Sequence, residues 1–514
     1  MATPCEPTAV TRRMLDYTAS RRTLIKATGV AAGTAGVGVI GASAWAQETE
    51  GVATVPEPPL LPADGTSSVG SSQAGWVFGN TGRNSHGSFI AGDLQVITTT
   101  EDSAVINWIT WDARVSPDLV PQGLPTAGKL VVRAVDNPSE VHVVESPRET
   151  FFHQLTVTGL RPSTTYSFVA TSHGVEAAAT HNIIAESRRE FTTQPKMAGP
   201  VLATIMVAND THVGEEADGL LFANFPPPAK AKAGERPYTD ITTESVIASA
   251  HAVGASHLFV NGDVTSEAKP AEVARAKQLL DGFNGTVRVT RGNHDRPHKL
   301  TDGPEYAGAP VYDAERVDPF GAVFEPRQQA WVENILGAGG AVVARVVGID
   351  STELDSSSGM IEDAQFVQIE RIFNEDRTTP TVVMLHHPCT RAAAWSNAGG
   401  PGFVLRDKDI VRLQELIAKQ TNIKLVLSGH THRARKNAPD AAKNTVFLET
   451  PAAKNWPTGA TQIRFFKDGM AITFRQNTSE EALRWAARTR WTIFGLSPSV
   501  MLGPIEARAL TIFY

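Results

Sequence analysis

The sequence is poor in cysteine, with only Cys5 and Cys389 among 514 residues. Two thiols can build neither the disulfide framework of a small secreted domain nor a zinc site made of thiolates. Cys5 lies in a segment that we expect to be removed, so Cys389 is expected to remain as a free thiol. We interpret Cys389 as a buried thiol without a chemical role; contact with a metal site is the alternative.

An excess of positive charge is also lacking, because 47 Lys and Arg residues face 54 Asp and Glu residues, for a net charge of −7. This balance argues against general binding of nucleic acids or anionic membranes, but it allows a locally positive pocket. Beyond the N-terminal segment, no run is apolar and long enough to cross a bilayer. We therefore expect no transmembrane span in the mature protein.

The N-terminus has the pattern of an export signal. The pair Arg21-Arg22 is followed by Leu24-Ile25, a Gly- and Ala-rich stretch, and the small-x-small sequence Ala44-Trp45-Ala46. This pattern resembles a twin-arginine signal peptide, which implies that residues 1–46 are removed and that the protein is periplasmic or secreted. The alternative is a chance arginine pair before an uncleaved membrane anchor, but the glycines make that stretch a marginal span.

The next two segments differ from each other in composition. Residues 47–79 are rich in Pro, Gly, Ser and Thr, which predicts a flexible linker. Residues 80–195 contain short β-branched and aromatic runs broken by Gly and Pro, which predicts an all-β sandwich. The Leu-Pro-Thr-Tyr pattern within residues 159–169 resembles a fibronectin type III module. The histidines of this segment have no ligand spacing, so we predict no metal site from them: His142, His153, His173 and His181.

From Gly199 onward, apolar strands alternate with amphipathic helices, and a hairpin centred on Asp468-Gly469 follows near the end. This order predicts a layered α/β sandwich over residues 196–478, with a C-terminal extension at 479–514 that packs intramolecularly. The predicted strands are Leu202–Val207, His257–Val260, Val287–Thr290, Val342–Ile349, Thr381–Leu385 and Ile423–Leu427. The predicted helices are Thr243–Val253, Pro270–Phe283, Glu362–Phe373 and Asp409–Lys419.

Five of those strands are followed directly by metal-competent side chains. The segments are Asn209-Asp210-Thr211-His212, Gly262-Asp263, Gly292-Asn293-His294-Asp295, His386-His387-Pro388 and Gly429-His430-Thr431-His432. In α/β sheets, ligands bind beyond the carboxyl ends of strands, so these side chains are expected to converge. The glycines precede the ligands where the chain turns off a strand. Because two histidines flanking Thr431 must reach different ions, we predict a loop there.

Two divalent ions about 3.5–4 Å apart can clamp a phosphate and activate water as a bridging hydroxide, and they need a bridging carboxylate, for which Asp263 is suited. We expect Asp210, His212 and His432 to hold one ion, and Asn293, His386 and His430 the other. Imidazole ligands suit manganese, iron or zinc. Two ions bring a charge of about +4, and two aspartates with one hydroxide remove about 3, so a positive centre remains for an anionic ester.

Together, the five segments resemble the calcineurin-like metallophosphoesterases over about residues 201–476. The resemblance implies a four-layer αββα fold and phosphoester hydrolysis. It implies seven metal ligands, which are Asp210, His212, Asp263, Asn293, His386, His430 and His432; His387 is the alternative to His386. It further implies that His294 faces the substrate phosphate and assists the leaving group, and that Asp295 orients His294. Arg291, Arg296 and Arg391 flank these segments, and either phosphate contacts or solvated charge would explain them.

The β-sandwich ahead of the metal segments is also similar to purple acid phosphatases. Those enzymes carry a tyrosinate three residues after the bridging aspartate, where this chain has Ser266, and they have no histidine ligand matching His212. The ligand set is therefore closer to phosphodiesterases. A small phosphomonoester or phosphodiester is the expected substrate. The alternatives are a protein phosphatase or nuclease on the same site, and an adhesion or binding protein with a vestigial metal site.

Overall fold

The computed structural model describes residues 83–86, 89–115, 121–179, 189–219, 228–296, 318–324, 329–354, 356–490, 492 and 497–514. The predicted signal peptide and linker lie outside the described residues. The N-terminal part contains the strands β1 (Arg83–His86), β2 (Phe89–Thr99), β3 (Ser103–Val115), β4 (Pro121–Gly123), β5 (Gly128–Ala134), β6 (Val141–Glu145), β7 (Phe152–Thr158), β8 (Thr165–Ser172), β9 (Val175–Glu176) and β10 (Glu190–Thr192).

These strands form two antiparallel sheets. One has the order β1-β2-β3-β4 with β7 on β3, and the other has the order β10-β8-β5-β6 with β9 on β8. Alternating apolar residues of both sheets meet in one buried core, including Val96 and Trp108 from the first and Val132 and Phe168 from the second. The predicted N-terminal β-rich region is confirmed.

Tyr166 makes a contact typical of sandwich domains with a tyrosine corner. Its hydroxyl accepts a hydrogen bond from the backbone N of Arg161 (2.8 Å) and donates one to Glu140 Oε1 (2.7 Å). The contact supports the fibronectin-type assignment, which remains a prediction. His153 lies in the core of the same region, stacked on Trp108, and burial lowers its pKa to about 3, so it is a neutral core histidine.

The larger part begins at β11. Its strands are β11 (Ala203–Ala208), β12 (Ala217–Asp218), β13 (Ala229–Lys230), β14 (His257–Asn261), β15 (Thr286–Thr290), β16 (Ala330–Leu336), β17 (Val342–Ile349), β18 (Thr381–Leu385), β19 (Ile423–Ser428), β20 (Arg435–Asn437), β21 (Val446–Glu449), β22 (Gly459–Phe466), β23 (Gly469–Gln476) and β24 (Ala509–Phe513). Its helices are α1 (Tyr238–Ala252), α2 (Pro270–Leu280), α3 (Pro319–Val323), α4 (Asp363–Glu375), α5 (Arg391–Ser396), α6 (Asp407–Ala418), α7 (Glu480–Thr489) and α8 (Ser497–Leu502), with 3₁₀ turns at Gly400–Phe403 and Ile505–Ala507.

Two six-stranded sheets pack face to face in this part. Their orders are β15-β14-β11-β22-β23-β24 and β16-β17-β18-β19-β21-β20. Buried residues of both sheets, such as Phe259 and Val346, fill the space between them. Helices α1 and α2 cover the outer face of the first sheet, and α4 and α6 cover that of the second. The predicted four-layer α/β sandwich is confirmed. Because the central strands are covered on both faces, β14 and β18 are buried along their whole length.

The C-terminal segment joins the two parts of the molecule. Strand β24 pairs with β23 and so completes the first sheet. Arg490, which follows α7, forms a buried ion pair with Asp93 of β2. The guanidinium of Arg508 donates to the carbonyl oxygens of Val96 and Ile97 on the same strand. Trp485 is buried, which agrees with the predicted intramolecular packing of the tail, whereas Phe513 is exposed. Trp491 and Phe494 lie outside the described residues.

Cys389 is a buried free thiol, and burial raises its pKa to about 12, as expected for a thiol without a chemical role. Helix α1 begins at Tyr238 rather than at the predicted Thr243, and its first turn is closed by the bond from Ile241 N to the carbonyl oxygen of Pro237 (3.2 Å). Among the described residues, every helix falls short of the length and apolarity that a bilayer span requires.

Candidate metal centre

The carboxyl ends of five parallel strands carry the predicted ligands to one place. In the first sheet, β11, β14 and β15 are adjacent and parallel; in the second, β18 and β19 are. The side chains that follow these strands form three groups. Within each group, the ligand atoms all lie within 4.8 Å of one another. The groups are Asp210, His212 and His432; His212, Asp263 and His294; and Asp263, His386 and His430. Asp263 belongs to two groups, which is the position expected of a bridging carboxylate.

The distances place Asp263 at the centre. Its Oδ2 lies 3.3 Å from His212 Nε2 and 3.3 Å from His386 Nε2. Asp210 Oδ1 lies 3.4 Å from His432 Nε2. Asn293 Oδ1 lies 3.2 Å from His386 Nε2, so the predicted amide ligand also faces the cluster. All seven predicted ligands are therefore neighbours in space.

The backbone is strained at most of these positions. The φ angles are positive at Asp210 (53°), His212 (46°), Asp263 (48°), His430 (67°) and His432 (55°). The left-handed region is uncommon outside glycine, and each such residue costs on the order of 1–3 kcal/mol, although Asp and His tolerate it better than most. Hydrogen bonds between loops hold the conformation, including Asp210 N to Gly262 O (3.0 Å) and His212 N to Asp263 O (2.9 Å). The loop predicted around Thr431 is confirmed.

The glycines before the ligands serve two purposes. Gly262 has a φ of 85°, as expected where the chain turns off β14. Gly292 does not adopt a positive φ; instead, a Cβ at this position would collide with the backbone nitrogen of Asp263. The chain turns at Gly292, where Asp295 N donates to the Gly292 carbonyl oxygen (2.9 Å), and the close approach of two ligand loops excludes a side chain there.

The two adjacent histidines after β18 point in different directions. His386 Nδ1 donates to the carbonyl oxygen of Asn261 (3.0 Å), which directs its Nε2 toward Asp263. His387 Nδ1 instead lies 2.9 Å from Ser351 Oγ. The geometry therefore favours His386 over His387 as the ligand.

His294 lies at the rim of the cluster, with its Nε2 3.9 Å from Asp263 Oδ2. Its Nδ1 donates to the carbonyl oxygen of Ser266 (2.6 Å), so Ser266 orients the ring, and the orienting role of Asp295 stays a prediction. The Asp295 carboxylate accepts hydrogen bonds from the backbone nitrogens of Val264 (2.9 Å), Thr265 (2.8 Å) and Gly292 (3.0 Å). Asp295 thereby ties together the loops that carry Asp263 and Asn293.

The electrostatics of the cluster fit a cation. Burial would raise the pKa of Asp263, but the nearby charges of His386 and His294 hold it well below its usual value. Burial lowers the pKa of His386, yet the negative charges of Asp263 and Asp210 raise it above its usual value, so the carboxylates favour positive charge at this place. The buried Nε2 atoms of His212 and His430 make no hydrogen bond within the described part of the chain. Ionised carboxylates beside imidazole nitrogens that lack hydrogen bonds are the donor set that divalent metals require.

The flanking arginines are engaged elsewhere. Arg291 is buried and donates to the carbonyl oxygen of Asp295 (2.7 Å) and to Asp318 Oδ1 (2.9 Å). Arg391 is exposed and pairs with Asp407. These two arginines have structural or surface roles. Arg296 is buried and directly precedes residues 297–317, which lie outside the described residues.

Sequence reasoning missed a set of buried polar residues behind His212 and His432, which are Glu215, Asp218, Tyr238, Lys454 and Asn455. Lys454 and Asn455 follow β21, a strand that we did not predict. The same signal that located the other ligands, polar side chains beyond the carboxyl end of a buried strand, would have located Lys454 and Asn455.

Comparisons with known proteins agree with this geometry. Residues 203–434 match the family model described as calcineurin-like phosphoesterase. A probable cyclic nucleotide phosphodiesterase of Synechococcus is 25% identical over 242 residues, which cover 46% of this chain and 76% of the relative.

Two solved structures are similar at 11% identity. A dimetal phosphatase from Danio rerio has a TM-score of 0.39 and covers 55% of this chain and 98% of its own. A purple acid phosphatase from yellow lupin seeds has a TM-score of 0.36 and covers 75% of this chain and 72% of its own. Both TM-scores are low, so neither structure's activity transfers to this chain.

Proposed function

We propose that this chain, a metal-dependent phosphoester hydrolase with a calcineurin-like phosphoesterase domain, cleaves small phosphodiesters with a pair of divalent ions held across Asp263. The observation that supports the pair is the membership of Asp263 in two ligand groups, one with His212 and His294 and one with His386 and His430. The imidazole and carboxylate ligands suit manganese, iron or zinc.

Each side chain has a distinct task in this proposal. When bound, two divalent ions polarise the phosphoryl oxygens and activate water. Asp210, Asp263, Asn293 and the four histidine ligands would hold the ions, and the two carboxylates would balance part of their charge. In its imidazolium form, His294 keeps the Nδ1 proton on the Ser266 carbonyl oxygen and carries a second proton on Nε2, which it can donate to the departing oxygen. His294 and His432 are the more exposed members, with side chains 17% and 19% accessible, so the substrate enters between them.

A diester fits the charge of the site better than a monoester. A monoester is a dianion at neutral pH and gains from cations beyond the metals, but Arg291 and Arg391 are turned away from the centre. Lys454 is paired with Glu215 and Asp218. A diester carries a single negative charge and is matched by the positive centre alone. The name of the Synechococcus relative, a probable cyclic nucleotide phosphodiesterase, supports the same preference.

Metal removal and a choice of two substrates test this function. We expect protein stripped with a chelator to lose hydrolysis of bis-p-nitrophenyl phosphate, and Mn²⁺ or Zn²⁺ to restore it at two ions per chain. The diester should exceed p-nitrophenyl phosphate in kcat/KM by about tenfold or more, equivalent to about 1.4 kcal/mol. A preference for the monoester would overturn the diester assignment. Protein that holds two ions and turns over neither ester would instead be a binding protein.

We also propose that the chain is exported by the twin-arginine route and cleaved after Ala46. The support is the sequence pattern around Arg21-Arg22 and Ala44-Trp45-Ala46. Replacing Arg21 and Arg22 by lysine is expected to leave full-length precursor in the cytoplasm, measured by cell fractionation and N-terminal sequencing. The matched control replaces Arg12 and Arg13 by lysine and should be exported normally. Equal export of both variants would contradict this route.

A further inference from the structure

A buried polar network lies directly behind two of the predicted metal ligands. It consists of Glu215, Asp218, Tyr238, Lys454 and Asn455, and we refer to it as the Lys454 network. None of these residues belongs to the five strand-end segments, and Lys454 and Asn455 lie beyond the residues 203–434 that match the phosphoesterase family. The network therefore adds polar groups around the predicted metal ligands that the five strand-end segments do not contain.

Lys454 organises the network from a position that is only 4% exposed. Its ammonium pairs with the Glu215 carboxylate and lies 3.4 Å from Asp218 Oδ1. Glu215 Oε2 also accepts the hydroxyl proton of Tyr238 (2.8 Å), and Asp218 Oδ1 accepts the amide of Asn455 (2.9 Å). A buried ammonium is costly unless it is paired and hydrogen-bonded, and two carboxylates provide this pairing.

Both neighbouring histidines turn one ring nitrogen to the metal cluster and the other to this network. His212 Nε2 lies 3.3 Å from Asp263, whereas its Nδ1 lies 3.9 Å from Glu215 Oε1. His432 Nε2 lies 3.4 Å from Asp210, whereas its Nδ1 lies 3.3 Å from the Asn455 amide. The same two histidines form one ligand group with Asp210. Among the residues that the structure describes, the network thus faces ligands of the ion predicted for Asp210, His212 and His432, and no hydrogen bond or ion pair links it to Asp263, His386 or His430.

We infer that the Lys454 network positions His212 and His432 and so sets the affinity of the ion that they share with Asp210. The Glu215 carboxylate faces His212 Nδ1 at 3.9 Å, beyond hydrogen-bond distance, so it acts on this ring through its negative charge. The Asn455 amide restrains the orientation of the His432 ring. The inference rests on the proposed function, because it assumes that the ions bind. Glu215 and Asn455 are positioning residues, since they act through the two histidines.

The C-terminal helix fixes the network in place. Trp485 of α7 donates its indole N–H to the Lys454 carbonyl oxygen (2.6 Å). The ring of Trp485 also stacks on Tyr238, with centroids 3.9 Å apart and planes inclined by 13°. The backbone nitrogen of Lys454 donates in turn to the carbonyl oxygen of Asp210, a predicted ligand (3.3 Å). A helix outside the matched segment thereby contributes to the metal site.

Titration of Mn²⁺ into chelator-stripped protein, followed by calorimetry, tests this inference through metal affinity. Glu215→Gln removes the charge at nearly constant volume. We expect the affinity of one of the two ions to fall about 10- to 100-fold while that of the other is unchanged. The control is Glu101→Gln, which removes a half-buried carboxylate that pairs with Arg464 far from the cluster, and which should leave both affinities as in the wild type.

Trp485→Phe provides a second variant, because it keeps the aromatic stacking and loses only the indole N–H. This variant should lower the affinity for the same ion by a smaller factor than Glu215→Gln. A general loss of stability would not affect one ion selectively. Unchanged affinities in both variants, or an equal loss at both ions, would overturn the inference while leaving the proposed function intact. Wild-type protein that takes up no pair of ions would instead refute the proposed function.

Discussion

Asp263→Asn is expected to abolish diester hydrolysis, lowering kcat/KM by about three orders of magnitude, or about 4 kcal/mol of transition-state stabilisation. The carboxylate oxygen that lies 3.3 Å from both His212 and His386 becomes an amide, which is a poor bridge between two cations. The variant should also retain fewer than two ions per chain after dialysis, as measured by elemental analysis alongside the assay.

The fold should survive this substitution. Asp263 Oδ1 accepts the backbone N–H of His294 (2.6 Å), and the oxygen of an asparagine can accept the same hydrogen bond. The matched control is Asp407→Asn, which changes an exposed carboxylate paired with Arg391 and should behave as the wild type. Full activity with two bound ions in Asp263→Asn would show that another residue bridges the ions, and the assignment of this centre would fail.

The sequence predicts the convergence of the ligands well because buried parallel strands leave a simple pattern. The strands Val342–Ile349 and Thr381–Leu385 have the same bounds in the structure as in the prediction, and each consists mostly of apolar residues. Once the strands are placed in a parallel sheet, the polar residues after them must lie at one edge. This is why Asp210, Asp263 and His386 could be brought together without coordinates.

Side-chain direction could not be predicted in the same way. The family resemblance implied that Asp295 orients His294, but the carboxylate accepts hydrogen bonds from the backbone nitrogens of Val264 and Thr265. Which of two adjacent residues faces inward depends on the backbone angles of the loop. The same limit applied to His386 and His387, which the sequence left as alternatives.

Contacts between residues far apart in the chain were also beyond the sequence. Strand β21 spans only Val446–Glu449, and so short a run is easily passed over, which hid Lys454 and Asn455 a few residues later. The ion pair of Arg490 with Asp93 joins the C-terminal tail to the N-terminal sandwich, and no local sequence pattern predicts such a pair. The tail could be predicted to pack on the molecule, but not where.

His294→Ala is expected to retain both ions but to lose about 10²- to 10⁴-fold in turnover, the usual contribution of a general acid. The ring is held by its Nδ1 bond to Ser266, and its Nε2 is 3.9 Å from Asp263 at the rim of the cluster. The loss should depend on the leaving group. Nitrophenolate departs with little help from a proton, whereas phenolate, with a conjugate acid of pKa about 10, needs it.

We therefore expect a smaller loss for bis-p-nitrophenyl phosphate than for diphenyl phosphate, measured as kcat for the two esters in the same metal-loaded preparation. His142→Ala is the control, since His142 lies on the sandwich beside Glu140, and neither rate should change. An equal loss for both esters would mean that His294 stabilises charge on the phosphoryl group rather than protonating the leaving oxygen. If His294→Ala instead binds less metal, His294 is a metal ligand. Its position in a group with His212 and Asp263 would then explain that role.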